Sequence, residues 1–366
     1  MKIIFKFSLI LTATLGVTLG HYFKSSKIES SLISLRFEDF AKACKQESTG
    51  RLWRRVQLDT LFSIRGYDGN PIFYPLKVYV DKDNNIYVLD VHAPAVLKFS
   101  PRGSFLKKFG KGRGQGPGEF QSPIDFSVSF DGYIYVSDIA THLVTIFDPY
   151  GNVLKALRTD GIPGHIAGIS KREFVVQRFG VGKMFQKYSV DGNLLSSFGE
   201  FLKEQYSYAI PIGVKMVSVD KEIYCAFVMG GYILAYDVNG ALKYFCETID
   251  RFPFPEMKVT QSREKDANVV SVTLDPNAPV SALDISVSDS LLYILAGTAS
   301  KKEGGVVIDV YHKNNGRYLY SFKFSKMSDT EGVQSCVVSG EYIYTAEILK
   351  DGNTCVRKYK FKVYKD

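Results

Sequence analysis

The chain has 366 residues, with 46 Lys and Arg against 38 Asp and Glu for a net charge of +8. Its 31 Gly, 26 Phe and 23 Tyr beside a single Trp, with β-branched and aromatic runs set between Gly, Asn and Asp, have the composition of strands and turns. No amphipathic pattern longer than about three helical turns follows residue 50, which excludes the strand-helix alternation of Rossmann-type and kinase-type folds.

In chain order, MKIIFKFSLILTATLGVTLG (residues 1–20) carries Lys2 and Lys6 ahead of an apolar run from Phe7 to Leu19, with Thr18 and Gly20 at its end. This is the pattern of a signal peptide or an uncleaved anchor. The protein is therefore expected to be exported, periplasmic or extracellular, touching a membrane only through an uncleaved N-terminal segment. Residues 21–51 are polar around a short apolar stripe, Leu32, Leu35 and Phe40, and read as a linker or short helix. The five cysteines, Cys44, Cys225, Cys246, Cys336 and Cys355, contain no CxxC pair and are too scattered for a disulfide framework or a zinc signature. They are expected to be small apolar fillers of strands.

From residue 52 onward the chain repeats. The string IYVLD at Ile86–Asp90 returns as IYVSD from Ile134, FVVQR from Phe174, IYCAF from Ile223, LYILA from Leu292 and IYTAE from Ile343. An apolar run and a polar turn precede each copy, and a third run with a glycine turn and then a fourth run follow most of them. Four strands per unit with tight turns describe a propeller blade. The sixth unit supplies only three strands before the chain stops. Arg54 to Gly66 has the character of the missing fourth strand, so the N-terminal strand is expected to join the last blade and close the ring, which removes free sheet edges. The expected architecture is all-β: a single six-bladed β-propeller over residues 52–366, with four-stranded blades.

The stretch GKGRGQGPGEFQSP, Gly110 to Pro123, fits neither a P-loop nor a dinucleotide loop, and another strand follows it. It reads as the crossover from the outer strand of one blade to the inner strand of the next, with glycines for positive φ and Pro117 and Pro123 at its corners.

This stretch, followed by a strand, a DG turn, IYVSD and VTIFDPYGNVLKAL, resembles the NHL-repeat type of six-bladed β-propeller. The whole body is similar to the exported six-bladed propeller proteins of bacteria. Asp90 and Asp138 match the repeat's aspartate and His142 its histidine, whereas Ala95 and Leu143 stand where the family has an arginine.

In such a ring, the connections between blades and those between second and third strands emerge on one face. That face collects His92, Lys111, Arg113, His142, Arg178, Lys183, Arg263, Lys265 and Lys301, and the opposite face carries acids such as Asp81, Asp131 and Asp220. A cationic face attracts anionic groups. The expected function is a binding or interaction module for a protein, an anionic glycan or an anionic small molecule. The longest loop of that face, Arg251 to Pro279, is the first place to look. Nucleic acid is not expected as a partner, because the basic residues are not interleaved with exposed aromatics.

The resemblance also implies an alternative, a metal-dependent lactonase- or lyase-like enzyme acting at the channel mouth. Aligned inner-strand starts give Lys77, Asp125, Ile166, Met216, Asp284 and Ser335. Of these, Lys77, Asp125 and Asp284 are the channel-mouth candidates. Two opposed carboxylates fall short of the oxygen-rich or His/Cys-rich sets that hold Ca²⁺ or Zn²⁺. No cofactor is expected, and those metals enter only with the alternative. His92 and His142, in corresponding loops of adjacent blades, form a further possible metal or acid/base pair.

Overall fold

A computed structural model describes residues 30–33, 43–179, 183–199, 213–255, 257–264, 267–275 and 277–364. The segment 1–20, read above as a signal peptide or anchor, lies outside them. Among the described residues no helix is long and apolar enough to cross a membrane.

Six antiparallel sheets form the blades. Blade one consists of Pro75–Val80, Ile86–Asp90, Ala95–Phe99 and Phe105–Phe109. Blade two follows as Pro123–Val128, Ile134–Asp138, Leu143–Phe147 and Val153–Arg158. The inner strands of blades three to six are Ile162–Ser170, Val214–Val219, Ala282–Ser288 and Thr330–Ser339. The ring closes as the repeat requires: Val56–Ile64 pairs antiparallel with Thr354–Val363, from Val56 opposite Val363 to Ile64 opposite Val356.

Burial explains why the second strands are apolar throughout. Ile86–Asp90 and Ile134–Asp138 are buried at every position because a neighbouring blade covers each of their faces. The outer strand Phe105–Phe109 instead alternates between half-buried and exposed residues up to the buried Phe109, as a one-sided strand does. Each interface between blades has its own apolar cluster. Between blades one and two, Tyr87, Leu89, Phe109, Phe126, Val136 and Phe147 surround the crossover residue Phe120, which is fully buried. Truncating such a phenylalanine to alanine costs about 3–5 kcal/mol.

The crossover is held by its own backbone. Lys111 N–H donates to Gly118 O at 2.8 Å, Phe120 N–H to Gly112 O at 3.0 Å, Gly114 N–H to Phe120 O at 3.1 Å, and Gly116 N–H to Glu119 Oε2 at 2.8 Å. Gly110 has φ +107°, and a Cβ there would come within 2.7 Å of the Phe120 ring. With these amides already paired, the loop offers no phosphate cradle.

Asp90 and Asp138 brace their blades without an arginine. Asp90 accepts the backbone N–H groups of Phe73, Tyr74, His92 and Ala93, and Asp138 accepts those of Gln121, Ser122, Ala140 and Thr141. Each carboxylate thus ties the incoming crossover to the turn that follows the second strand.

Three features depart from the sequence reading. Cys44 and Cys246 form a disulfide across 202 residues, while Cys225, Cys336 and Cys355 are free and buried, as apolar fillers are. The bridge pins the residues before the ring to the outer strand of blade four. In the chain-entropy model such a loop is worth on the order of 5 kcal/mol. Nearby, Gln46 bonds to Glu247 O, Gly316 O and Tyr318 N, and Arg51 bridges Asp250 and Asp309. Within 21–51, where a linker or short helix is expected, Ser30–Ile33 is a strand paired with Met257–Glu264. Met257–Glu264 in turn pairs with Ala267–Leu274, so the long loop 251–279 contains a hairpin. Finally, Trp53–Arg54 adds a parallel fifth strand to blade five beside Tyr318–Phe324.

Candidate functional site at the channel mouth

Register decides which side chains line the mouth. Against the second strands, Lys77 faces Leu89, Asp125 faces Ser137, Lys215 faces Ala226, Asp284 faces Leu295 and Ser335 faces Ala346. In blade three Pro163 faces Arg178 and Ile166 faces Val176, which leaves Gly164 and His165 opposite Gln177. The partners are in every case the fourth residue of the IYVLD-like copy. The equivalent positions are therefore Lys77, Asp125, His165, Lys215, Asp284 and Ser335.

Two of the aligned starts are thereby corrected: Ile166 gives way to His165 and Met216 to Lys215. Register shifts precede the ring residue in blades one, two, three, five and six, whereas blade four pairs without one. A slip of one residue exchanges the channel-facing set for the core-facing set. A signal was present in the sequence, since a polar residue directly precedes an apolar one in all six blades: Lys77-Val78, Asp125-Phe126, His165-Ile166, Lys215-Met216, Asp284-Ile285 and Ser335-Cys336.

Asp125, fully buried, is the hub of one side. Its Oδ1 accepts from Lys77 Nζ at 2.5 Å and Phe126 N–H at 2.9 Å, and its Oδ2 contacts His165 Nδ1 at 2.9 Å and accepts Ile166 N–H at 3.0 Å. Burial alone would raise this carboxyl, but Lys77 and His165 outweigh it and hold it well below the usual carboxylate range. Asp284, on the far side, accepts the Ser335 hydroxyl and Cys336 N–H on Oδ2 and Ile285 N–H on Oδ1. Here burial dominates and the carboxyl is raised, with Lys215, Lys77 and the Ser335 hydroxyl opposing.

Lys215 is half-buried, and among the described residues its ammonium has no hydrogen bond or ion pair. Burial lowers it against the opposing pull of Asp284 and Asp125. Burial and then Lys215 also push His165 down, against Asp125. A neutral imidazole with its Nδ1–H toward Asp125 presents Nε2 as an acceptor. From the ring inward, the channel holds a cavity of about 70 Å³ whose lining includes Lys77, Tyr79, Ser127, Val217, Ser286 and Val337.

The model of a 6-bladed beta-propeller family, DUF5128, matches residues 67–343. The chain belongs to this family. Among solved structures, this propeller is similar to a member of the DUF4221 family from Bacteroides vulgatus, at 11% identity and TM-score 0.57 over 86% of this chain and 99% of that one. It is also similar to a Bacteroides fragilis protein assigned as exported, at 11% identity and TM-score 0.56 over 88% and 99%. A third similar structure is virginiamycin B lyase from Staphylococcus aureus, at 12% identity and TM-score 0.52 over 84% and 99%. At such identities the likeness is one of fold. A search of curated sequences finds no match.

The loop residues singled out in the sequence take separate places around the propeller. His92, Lys111, Arg113, Lys183 and Lys301 are exposed in connections. Arg113 donates to Gln121 O at 2.8 Å, and Lys301 lies on the short helix Gly297–Glu303. His92 lies against the Tyr74 ring at 5.1 Å, and Arg178 pairs with Asp160 at 3.6 Å. His142 is half-buried, and its imidazole is lowered by burial and then by Arg158. Arg263 falls in the hairpin strand Met257–Glu264, and Lys265 lies outside the described residues.

A divalent metal does not fit the mouth as built. All four acceptor positions of Asp125 are taken by its neighbours, and Asp284 keeps only one open position, on Oδ1. No group of three or more His, Cys, Asp or Glu poised for a metal occurs among the described residues.

Proposed function

We propose that this propeller is an exported, NHL-type binding module that takes an anionic ligand on the face bearing the channel mouth. One observation carries the reading. The acids Asp90, Asp138, Asp125 and Asp284 spend most or all of their acceptor capacity inside the protein, whereas Lys111, Arg113 and Lys301 stand exposed. Lys111 and Arg113 make the crossover between blades one and two a local cationic patch, while exposed acids such as Asp160, Glu303 and Asp351 lie in other connections of the same face. Export is supported by the Cys44–Cys246 disulfide, a bond that persists in oxidising compartments. The ligand would be a protein, an anionic glycan or an anionic small molecule, with nucleic acid outside the expected set. The saturated Asp125 argues against the metal-dependent alternative.

The test is binding to a panel of anionic and neutral glycans at low salt, with the combined variant Lys111→Glu, Arg113→Glu, Lys301→Glu alongside the natural protein. Anionic glycans should be retained preferentially, and charge reversal should weaken retention about tenfold or more, since each lost contact is worth roughly 1 kcal/mol at low salt. Equal retention of neutral glycans, or indifference to charge reversal, would refute it.

A further inference from the structure

The six ring residues repeat one lysine-aspartate order and differ in the third member: Lys77, Asp125, His165 and then Lys215, Asp284, Ser335. In the first set the lysine is consumed, with Nζ 2.5 Å from Asp125 Oδ1 and 2.9 Å from Phe126 O. The corresponding acceptors in the second set are Asp284 Oδ1 and Ile285 O, and Lys215 takes neither. After accepting Ile285 N–H, Asp284 Oδ1 keeps one open acceptor position. In the adjoining blade, His165 has Nδ1 engaged by Asp125 and Nε2 left as an acceptor.

We propose that this open half of the ring, Lys215 with Asp284 and His165, is a binding site for a hydroxy-carboxylate of the sugar-acid class, either free or as a uronate unit of a glycan. The proposal rests on the reading of this face as an anion-binding surface and narrows it to one site and one ligand class. Among the described residues the half-buried Lys215 has no counter-ion, and a ligand carboxylate supplies one. A carboxylate alone leaves two acceptors, Asp284 Oδ1 and His165 Nε2, facing an anion with no proton between them. A hydroxyl close to the carboxylate supplies that proton, so the pair of groups is recognised where either alone is not. Buried acceptors that lose their donor penalise the ligand lacking it, which is the usual source of strong discrimination.

The experiment is calorimetric titration of the full protein with galacturonate, a uronate oligosaccharide, galactose and acetate, for the natural protein and for Lys215→Met. Galacturonate or the oligosaccharide should bind at least tenfold more tightly than galactose or acetate, and their relative affinities distinguish the free acid from the polymer. Lys215→Met, which removes no hydrogen bond of the protein, should keep its melting temperature and lose at least tenfold in affinity. Binding of acetate or galactose equal to that of galacturonate, no binding of any uronate, or unchanged affinity in Lys215→Met would overturn the assignment. If the loop charge reversal abolishes anion retention while Lys215→Met binds normally, the face reading stands and this site fails. If neither variant changes binding, both fail.

Discussion

In blades one to three the mouth is a closed network, with Lys77 and His165 both held by a buried Asp125. In blades four to six the same lysine-aspartate order stays open: Ser335 and Cys336 N–H take Asp284 Oδ2, and Lys215 stands apart. Two local differences separate the halves. Ser335 stands where the first half has His165, so Asp284 gains a neutral hydroxyl rather than an imidazole. The inner strand of blade four also lacks the register shift that precedes Lys77 in blade one, so Lys215 leaves the strand on a different backbone path. The lesson is that pairing in a propeller channel depends on bulge placement as much as on residue identity.

The largest effect should separate the two aspartates. Asp125→Asn leaves Lys77 and His165 around a neutral group and should cost about 3–5 kcal/mol in urea unfolding, the usual cost of breaking a buried ion pair. Asp284→Asn keeps an acceptor for the Ser335 hydroxyl and should cost about 1 kcal/mol or less. Equal losses would erase the distinction between the halves.

The pH dependence sharpens the same contrast. Asp125 is depressed in the folded protein, so the stability it contributes is present above the ordinary carboxylate value of about 4 and is lost as pH falls toward the depressed one. Asp284 is raised, so its contribution is complete below about 4 and is lost as pH rises through the elevated value. Urea midpoints from about pH 3 to pH 7 should therefore show a shallower acid-side decline in Asp125→Asn and a shallower decline with rising pH in Asp284→Asn. Parallel curves for both variants would contradict the assignment. The smallest effect belongs to Lys215→Met, whose stability should lie within about 0.5 kcal/mol of the natural protein.

Much of the architecture was legible because blade burial imposes it. The recurring IYVLD strings are continuous apolar runs since both faces of those strands are covered, and the shortfall in the sixth unit pointed to Arg54 to Gly66, within which Val56–Ile64 is the closing strand. The candidate site was half legible. Lys77, Asp125, Asp284 and Ser335 came from the strand starts, whereas His165 and Lys215 were displaced by one residue because an apolar pattern does not tell a blade with a register shift, such as blade three, from one without, such as blade four. Long-range features were invisible for a different reason. Cys44 and Cys246 meet only after the ring has closed, and the pairing of Ser30–Ile33 with Met257–Glu264 joins segments more than 200 residues apart.

The most direct test of the open half is to follow the Lys215 side-chain amine by NMR in ε-labelled protein, assigned through Lys215→Met, across a pH titration with and without galacturonate. The account predicts that Lys215 loses its proton at lower pH than an ordinary lysine and that bound galacturonate moves its titration upward. Titration of Lys215 at the ordinary lysine value, with no response to the sugar acid, would contradict it.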